Sequence, residues 1–360
     1  MNLHPNIRVA LCYKNFAANR HISHIGLGVT ASNTAKVLRQ YGVYAEVWPI
    51  VDAAGLDANL ARFANQKVPI THVVISAPWI PTLQLQSLML KYPYIEFACL
   101  SHSNVGFLQA DTAGVTKIRE YLDLETANAN FRFGGNSRKF CAWVEQAYND
   151  PCMWLPNLYY LDHTSAPRRP LYAGGGTLRI GAFGALRPLK NFMSAAGAAL
   201  AIARSMRADL ELWISAGRNE GGGNTVVDAI RAMFRGLPYA KLVENSWQTW
   251  PQFRHTVAHM HLLLAVSYTE SFHVVTADGI TEGVPSVCSD AIDWVPPYWS
   301  APADDVTQIA NIGIGLLQNI GATSDGLRAL SAYNTLGLHQ WRQYLRCSGV
   351  QADTAPTFTL

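Results

Sequence analysis

Charge is scarce in this chain. Only 15% of the 360 residues are Asp, Glu, Lys or Arg, and the formal net charge is +3. That is too small to demand a polyanionic partner. No stretch approaches the ~18 consecutive apolar residues of a membrane-spanning helix. The opening MNLHPNIRVALCYKNF has charges close behind its short apolar run, so it reads as a first strand rather than a secretion signal. Cysteine is sparse: Cys12, Cys99, Cys141, Cys152, Cys288 and Cys347 are scattered with no CxxC pair. They read as reduced, partly buried thiols of a cytoplasmic protein. There is no HExxH, no Cys-rich ligand set and no Asp-x-Asp, so no metal is expected. Gly-x-Ser-x-Gly and P-loop patterns are absent too, as is any repeat of 20–50 residues that would mark a solenoid.

What is present is a globular composition, 49% hydrophobic, with β-type and helix-type runs in alternation. Residues 7–13, 44–50, 72–77 and 95–101 read as strands, and 30–41, 83–90 and 138–148 as helices. Near-continuous apolar strands between helices imply a parallel sheet covered on both faces. The pattern breaks at 162–177, DHTSAPRRPLYAGGGT, a linker composition rich in Pro and Gly. It then restarts. Strands are expected at 178–183, 210–215, 241–244, 261–267 and 286–289, and helices at 192–206, 225–235, 253–258 and 274–282.

The fold class is therefore α/β, with two Rossmann-like, doubly wound domains facing a central cleft. Ligands bind such sheets outside the carboxyl ends of their strands. The expected division is an N-terminal domain over 1–161, the linker 162–177, and a C-terminal domain over 178–335. A C-terminal helix and tail over 336–360 can pack back on the first domain. The first 160 residues hold 13 Lys/Arg against 10 Asp/Glu, the remainder 15 against 15, so the cationic excess lies in the N-terminal half.

Residues 268–290, YTESFHVVTADGITEGVPSVCSD, concentrate the chemistry. Glu270 follows a buried strand and so stands at the ligand edge of a sheet. The helix after it begins near Ser271, Phe272, His273 and Val274, and the unpartnered N–H groups of a helix start attract phosphate. Asp278 lies eight positions after Glu270, about two turns on, and a carboxylate there can accept from the vicinal hydroxyls of a ribose. On spacing alone Glu270 could equally cap the helix and Asp278 be a solvated helix charge.

This stretch resembles the signature of family-four retaining glycosyltransferases, which have the GT-B fold. Their motif runs Glu, Gly or Ser, Phe, Gly, with a second acid eight positions after the first, then Gly-x-Pro and a strand ending in Ser/Thr-Asp. Glu270, Ser271, Phe272, Asp278, Gly283, Pro285, Ser289 and Asp290 stand in that register. Upstream, IGAFGALRPLKN (180–191) is similar to the family's first loop of the C-terminal domain, with Gly184, Leu186, Pro188, Lys190 and Asn191 matching. The family's Arg position is Ala185, and Arg187 two residues later is a plausible substitute. LPNLYYLD (155–162) resembles the Pro-Asn turn that closes the first domain.

The resemblance implies transfer of a sugar from a nucleotide-diphosphate sugar, a UDP- or GDP-sugar, to an acceptor hydroxyl with retention and without metal. It implies that the N-terminal domain over 1–161 binds the acceptor and the C-terminal domain over 178–335 the nucleotide sugar, that Lys190 and Arg187 grip the diphosphate and that Glu270 meets sugar hydroxyls. Asp278 holds the ribose, and Ser271, Phe272, His273, Val274 and Gly184 surround the donor. Gly26 and Gly28 in HIGLGVTASNTAKVL (24–38) resemble a glycine-rich loop ahead of the first helix, bordering the cleft. His102, in CLSHSNVGF (99–107), takes the position of a histidine near the reacting carbon, with His24 a weaker candidate. Asn104 and Asn136 could face the acceptor. Two departures stand out: His273 replaces a usual glycine, and Asp278 is shorter than the usual Glu.

The acceptor is a glycan or, as for some bacteriophage GT-B enzymes, a hydroxymethylated base in DNA. A nucleotide-sugar epimerase or hydrolase of the same fold, or a non-catalytic nucleotide-sugar-binding protein, remains open.

Overall fold

The computed structural model describes residues 7–15, 25–64, 66, 69–162, 172, 174–217, 219–246 and 248–345. The chain divides into two compact units. One runs up to Tyr160 and takes in the chain from Asn334 onward; the other is Leu161–Tyr333.

The first unit holds strands β1 (Arg8–Lys14), β2 (Tyr44–Ile50), β3 (His72–Ser76), β4 (Glu96–Ser101), β5 (Phe131–Gly135) and β6 (Met153–Trp154). They form one sheet in the order β2-β1-β3-β4-β5-β6, every pair parallel. Alternate side chains leave by opposite faces. Cys12, Ile75, Cys99 and Phe133 enter one core; Leu11, Val74 and Ala98 enter the other. The second core also receives Leu338, Trp341 and Leu345 from the end of the chain. Trp341 donates from its indole to the Pro156 carbonyl at 2.8 Å, and Asn334 bonds both the N–H and the C=O of Tyr159. The boundary between the units thus falls inside the last helix, Ala322–Tyr344.

The second unit holds β7 (Thr177–Ala182), β8 (Asp209–Ile214), β9 (Ala240–Glu244), β10 (Leu262–Ala265), β11 (Ser286–Ser289) and β12 (Ser300–Ala301). Their order is β12-β11-β10-β7-β8-β9, again all parallel. Read from the other edge, this is 3-2-1-4-5-6, the order of dinucleotide-binding sheets. The chain leaves β7 toward β8 on one side and reaches β10 on the other, so a crevice opens between the ends of β7 and β10.

Several elements depart from the sequence expectation. The helix Thr112–Ala127 and β5 were not anticipated. The first helix is Ile25–Gln40 rather than 30–41, which places Gly26 and Gly28 inside it. They are helical residues, not a loop ahead of a helix. A Cβ on Gly28 would stand 3.2 Å from the Tyr13 ring, so that glycine serves close helix packing, whereas Gly26 has open space around it. His24 and most of the expected linker lie outside the described residues. Among the described residues no helix is long and apolar enough to cross a membrane. The five described cysteines are free and buried.

Candidate active site

The crevice between β7 and β10 is closed by two loops that are hydrogen-bonded together. Tyr268, just past β10, donates its N–H to the Leu189 carbonyl at 3.0 Å. Asn191 has a left-handed backbone, φ 56°, which asparagine tolerates better than most residues. From there its buried amide donates to the carbonyls of Val266, at 3.0 Å, and Ala303. These bonds fix the short turn Pro188–Lys190 against the end of β10.

Lys190 and Glu270 meet across the crevice. Their ion pair is largely hidden from solvent, with side chains 12% and 7% exposed. Ser267 donates its hydroxyl to the same Oε1 of Glu270 at 2.8 Å, and Ser289 in turn bonds the Ser267 carbonyl. Burial alone would push the Glu270 carboxyl upward. The Lys190 charge, with help from His273 and the Ser267 hydroxyl, outweighs it and holds the pKa at about 2. Glu270 is a carboxylate at any physiological pH. A buried pair of this kind gives little net stability over apolar residues of the same volume, so it points toward chemistry.

After Glu270 the chain turns sharply. Phe272 is buried, stacked on Trp294 with ring centroids 5.2 Å apart, and Tyr333 lies at 5.3 Å. The Trp294 indole donates to the Phe272 carbonyl at 2.7 Å. The Phe272 side chain is thus an anchor in the core; only its backbone remains to act on a ligand. His273 sits at φ 61° and precedes the helix Val274–Thr281. The glycine expected from the resemblance is replaced, and the backbone keeps the conformation that favours glycine. Its Nδ1 lies 2.8 Å from the Thr276 hydroxyl and its Nε2 4.0 Å from Glu270 Oε1. Burial lowers the His273 pKa to about 4, so the imidazole is neutral at pH 7. Ser271 and Val274 are half-buried on either side of this turn.

Asp278 is 1% exposed. It is therefore no solvated helix charge. Its Oδ1 accepts from the indole of Trp250, at 3.0 Å, at the start of the helix Trp250–Val257. Gly184 lies at φ 126°, and a Cβ there would stand 3.8 Å from the Lys190 ammonium, so the backbone at 184 runs close beside that charge. Arg187 faces Glu220, at 3.7 Å, on the loop after β8. That loop is held by a bridge between Leu186 and Asn219 and by the Glu220 N–H on the Leu186 carbonyl.

In the first unit, His102 and Asn136 come together at the carboxyl ends of β4 and β5, with the Asn136 amide nitrogen 3.2 Å from His102 Nδ1. Burial lowers the His102 pKa to about 4. Asn104 caps the short helix Val105–Leu108, its Oδ1 accepting from the Phe107 N–H at 2.9 Å. That accounts for Asn104 structurally.

Sequence reasoning did not single out Ser267, Trp250 or Glu220. Ser267 was within reach, three residues before Glu270. Trp250 and Glu220 carry no motif.

No family model matches the sequence, and no curated protein sequence matches it. Solved structures do share its fold. Sucrose-phosphate synthase from Thermosynechococcus elongatus superposes with a TM-score of 0.62 at 13% identity, over 94% of this chain and 99% of that one. HepE from Anabaena, solved with UDP, gives 0.60 at 13% identity, over 94% and 99%. TarM from S. aureus, solved with fondaparinux, α-GlcNAc-glycerol and UDP, gives 0.54 at 10% identity over 76% of this chain, which spans 55% of TarM. These are two-domain glycosyltransferases, and this chain has their GT-B fold.

Proposed function

We propose that this chain is a retaining glycosyltransferase that moves a sugar from a nucleotide-diphosphate sugar to an acceptor hydroxyl. The observation that carries this reading is the buried Lys190–Glu270 pair at the switch point of the second sheet. A cation and a carboxylate there match the two ends of such a donor, an anionic diphosphate and a polyhydroxylated sugar.

In the reaction the bond between the anomeric carbon and the diphosphate oxygen breaks, and the electron pair leaves with the diphosphate. Lys190 takes up that charge together with the backbone N–H groups around Phe272–Val274; Arg187 is the second cation. Preorganised donors of this kind stabilise a leaving anion at no cost of reorganisation. The acceptor oxygen attacks from the face the diphosphate leaves, and its proton passes to the departing phosphate oxygen. Glu270 holds sugar hydroxyls, Asp278 the ribose, and Gly184 lets the backbone approach the diphosphate. In the first unit, His102 is the group that would serve the sugar and its neighbour Asn136 the one that would serve the acceptor.

UDP-sugars are the first donors to test, because HepE and TarM were solved with UDP. The acceptor is a glycan or another hydroxyl compound. Lys190 and Arg187 fill the electrostatic role that a metal has in other transferases. Free, buried thiols suit the cytoplasm.

The test is nucleotide release from UDP-, GDP- and ADP-sugars, each alone and with pooled acceptors that include hydroxymethylated DNA. Release that depends on one donor and rises with one acceptor class supports the reading. Release without acceptor points to a hydrolase, conversion of the donor without an acceptor and without net release to an epimerase, and binding with no turnover to a binding protein.

A further inference from the structure

The residue that departs most from expectation at this site is His273. It holds φ 61° and ψ 76°, a left-handed backbone that is strained for a non-glycine residue. Such strain persists where the side chain is held by its surroundings, and here it is held. His273 is 8% exposed, and Nδ1 is fixed by the hydroxyl of Thr276, which is itself fully buried and 3.8 Å from the Cys288 sulfur. That contact sets the imidazole's rotation and turns Nε2 toward Glu270.

We propose that His273 Nε2 and the Glu270 carboxylate clamp one hydroxyl of the donor sugar between them, and that this clamp makes His273 a determinant of donor-sugar binding. The inference rests on the nucleotide-sugar reading of the site. The gap of 4.0 Å is too long for a direct hydrogen bond. An oxygen about 2.8 Å from both atoms would subtend an angle of about 90°, which a hydroxyl accommodates. The polarities also match. With the Thr276 hydroxyl donating to Nδ1, the ring proton is on Nε2, which donates to the sugar oxygen. The sugar hydroxyl then donates its own proton to the carboxylate. Oε1 already accepts from Lys190 and Ser267, and the two oxygens of a carboxylate together have room for a further donor. A glycine at 273 would offer a backbone N–H alone.

The test compares binding of nucleotide and nucleotide sugar by calorimetry, using UDP with UDP-glucose, UDP-galactose and UDP-GlcNAc, and GDP with GDP-mannose. In the full wild-type chain one sugar binds more tightly than its nucleotide. In His273→Gly, whose backbone suits φ 61° and so folds, Kd for that sugar rises about tenfold while Kd for the bare nucleotide stays within about twofold. Thr276→Val, which releases the ring, gives a smaller loss of the same kind. The clamp is overturned if sugar and nucleotide weaken together, if neither changes, or if no sugar binds better than its nucleotide. Turnover is read separately on the wild type: sugar-dependent binding without turnover would remove the transferase reading and leave the clamp standing.

Discussion

Lys190 and Glu270 are 80 positions apart in sequence and share one ion pair beneath the surface of the second sheet. Each comes from the end of a strand flanking the switch point, and each is fixed by neighbours that bond the other's loop: Leu189 to Tyr268, and Asn191 to Val266. The site is thus preorganised before any ligand arrives, and its variants should separate stability from activity.

Glu270→Gln keeps the volume and removes the charge, leaving Lys190 12% exposed without its counter-ion. The expected cost is about 3 kcal/mol in urea unfolding, with nucleotide release reduced about 100-fold or more. Combining it with Lys190→Met should recover much of the stability and none of the activity. Recovery of both would make the pair purely structural.

Asn191→Ala removes two hydrogen bonds to backbone carbonyls, of buried Val266 and half-buried Ala303, and places alanine at φ 56°. The expected loss is about 2–3 kcal/mol. Asn191→Gly relieves the backbone and should be less damaging than alanine, though still below wild type. Equal stability of all three proteins would mean that these bonds contribute nothing.

Acid should weaken the fold in two stages. Burial depresses His102 and His273 to about 4 from the ordinary 6.5. Between these values the unfolded chain binds more protons than the native one, so stability falls as pH drops from 6.5 to 4. Glu270 adds a second decline, beginning where a free carboxyl titrates near 4.5 and ending near its native value of about 2. His102→Gln should flatten part of the first slope. An unchanged slope in unfolding measured from pH 7 to 4 would show that His102 takes up its proton without cost.

How much of this was legible depended on whether a property was local. Strands β3 and β10 announce themselves as apolar runs, HVVIS and LLLA. The helix Thr112–Ala127, TAGVTKIREYLDLETA, mixes charge into its apolar stripe, and β5, FRFGG, ends in two glycines that read as a turn. Glu270, Lys190 and Asp278 could be marked from the chain. What each of them touches could not, because contacts such as Trp250 to Asp278 span 28 positions and leave no local trace.

That contact yields its own expectation. Trp250→Phe removes one donor from a carboxylate that is 1% exposed, at a cost of about 1–2 kcal/mol. Asp278→Asn keeps an acceptor for the indole but loses the charge. If Asp278 holds the ribose, the rise in melting temperature given by UDP should shrink in Asp278→Asn. An undiminished rise would take Asp278 out of the nucleotide site and leave it a structural residue that bonds Trp250.

On this reading the Lys190–Glu270 site drives departure of a nucleotide diphosphate from a sugar. The most direct measurement is acceptor-dependent nucleotide release, donor by donor, by the wild type and by Lys190→Met. The expected result is release from one donor by the wild type and a loss of about 100-fold or more in the variant, with the fold intact by circular dichroism. Full activity in Lys190→Met, or no release by the wild type from any donor it binds, would contradict it.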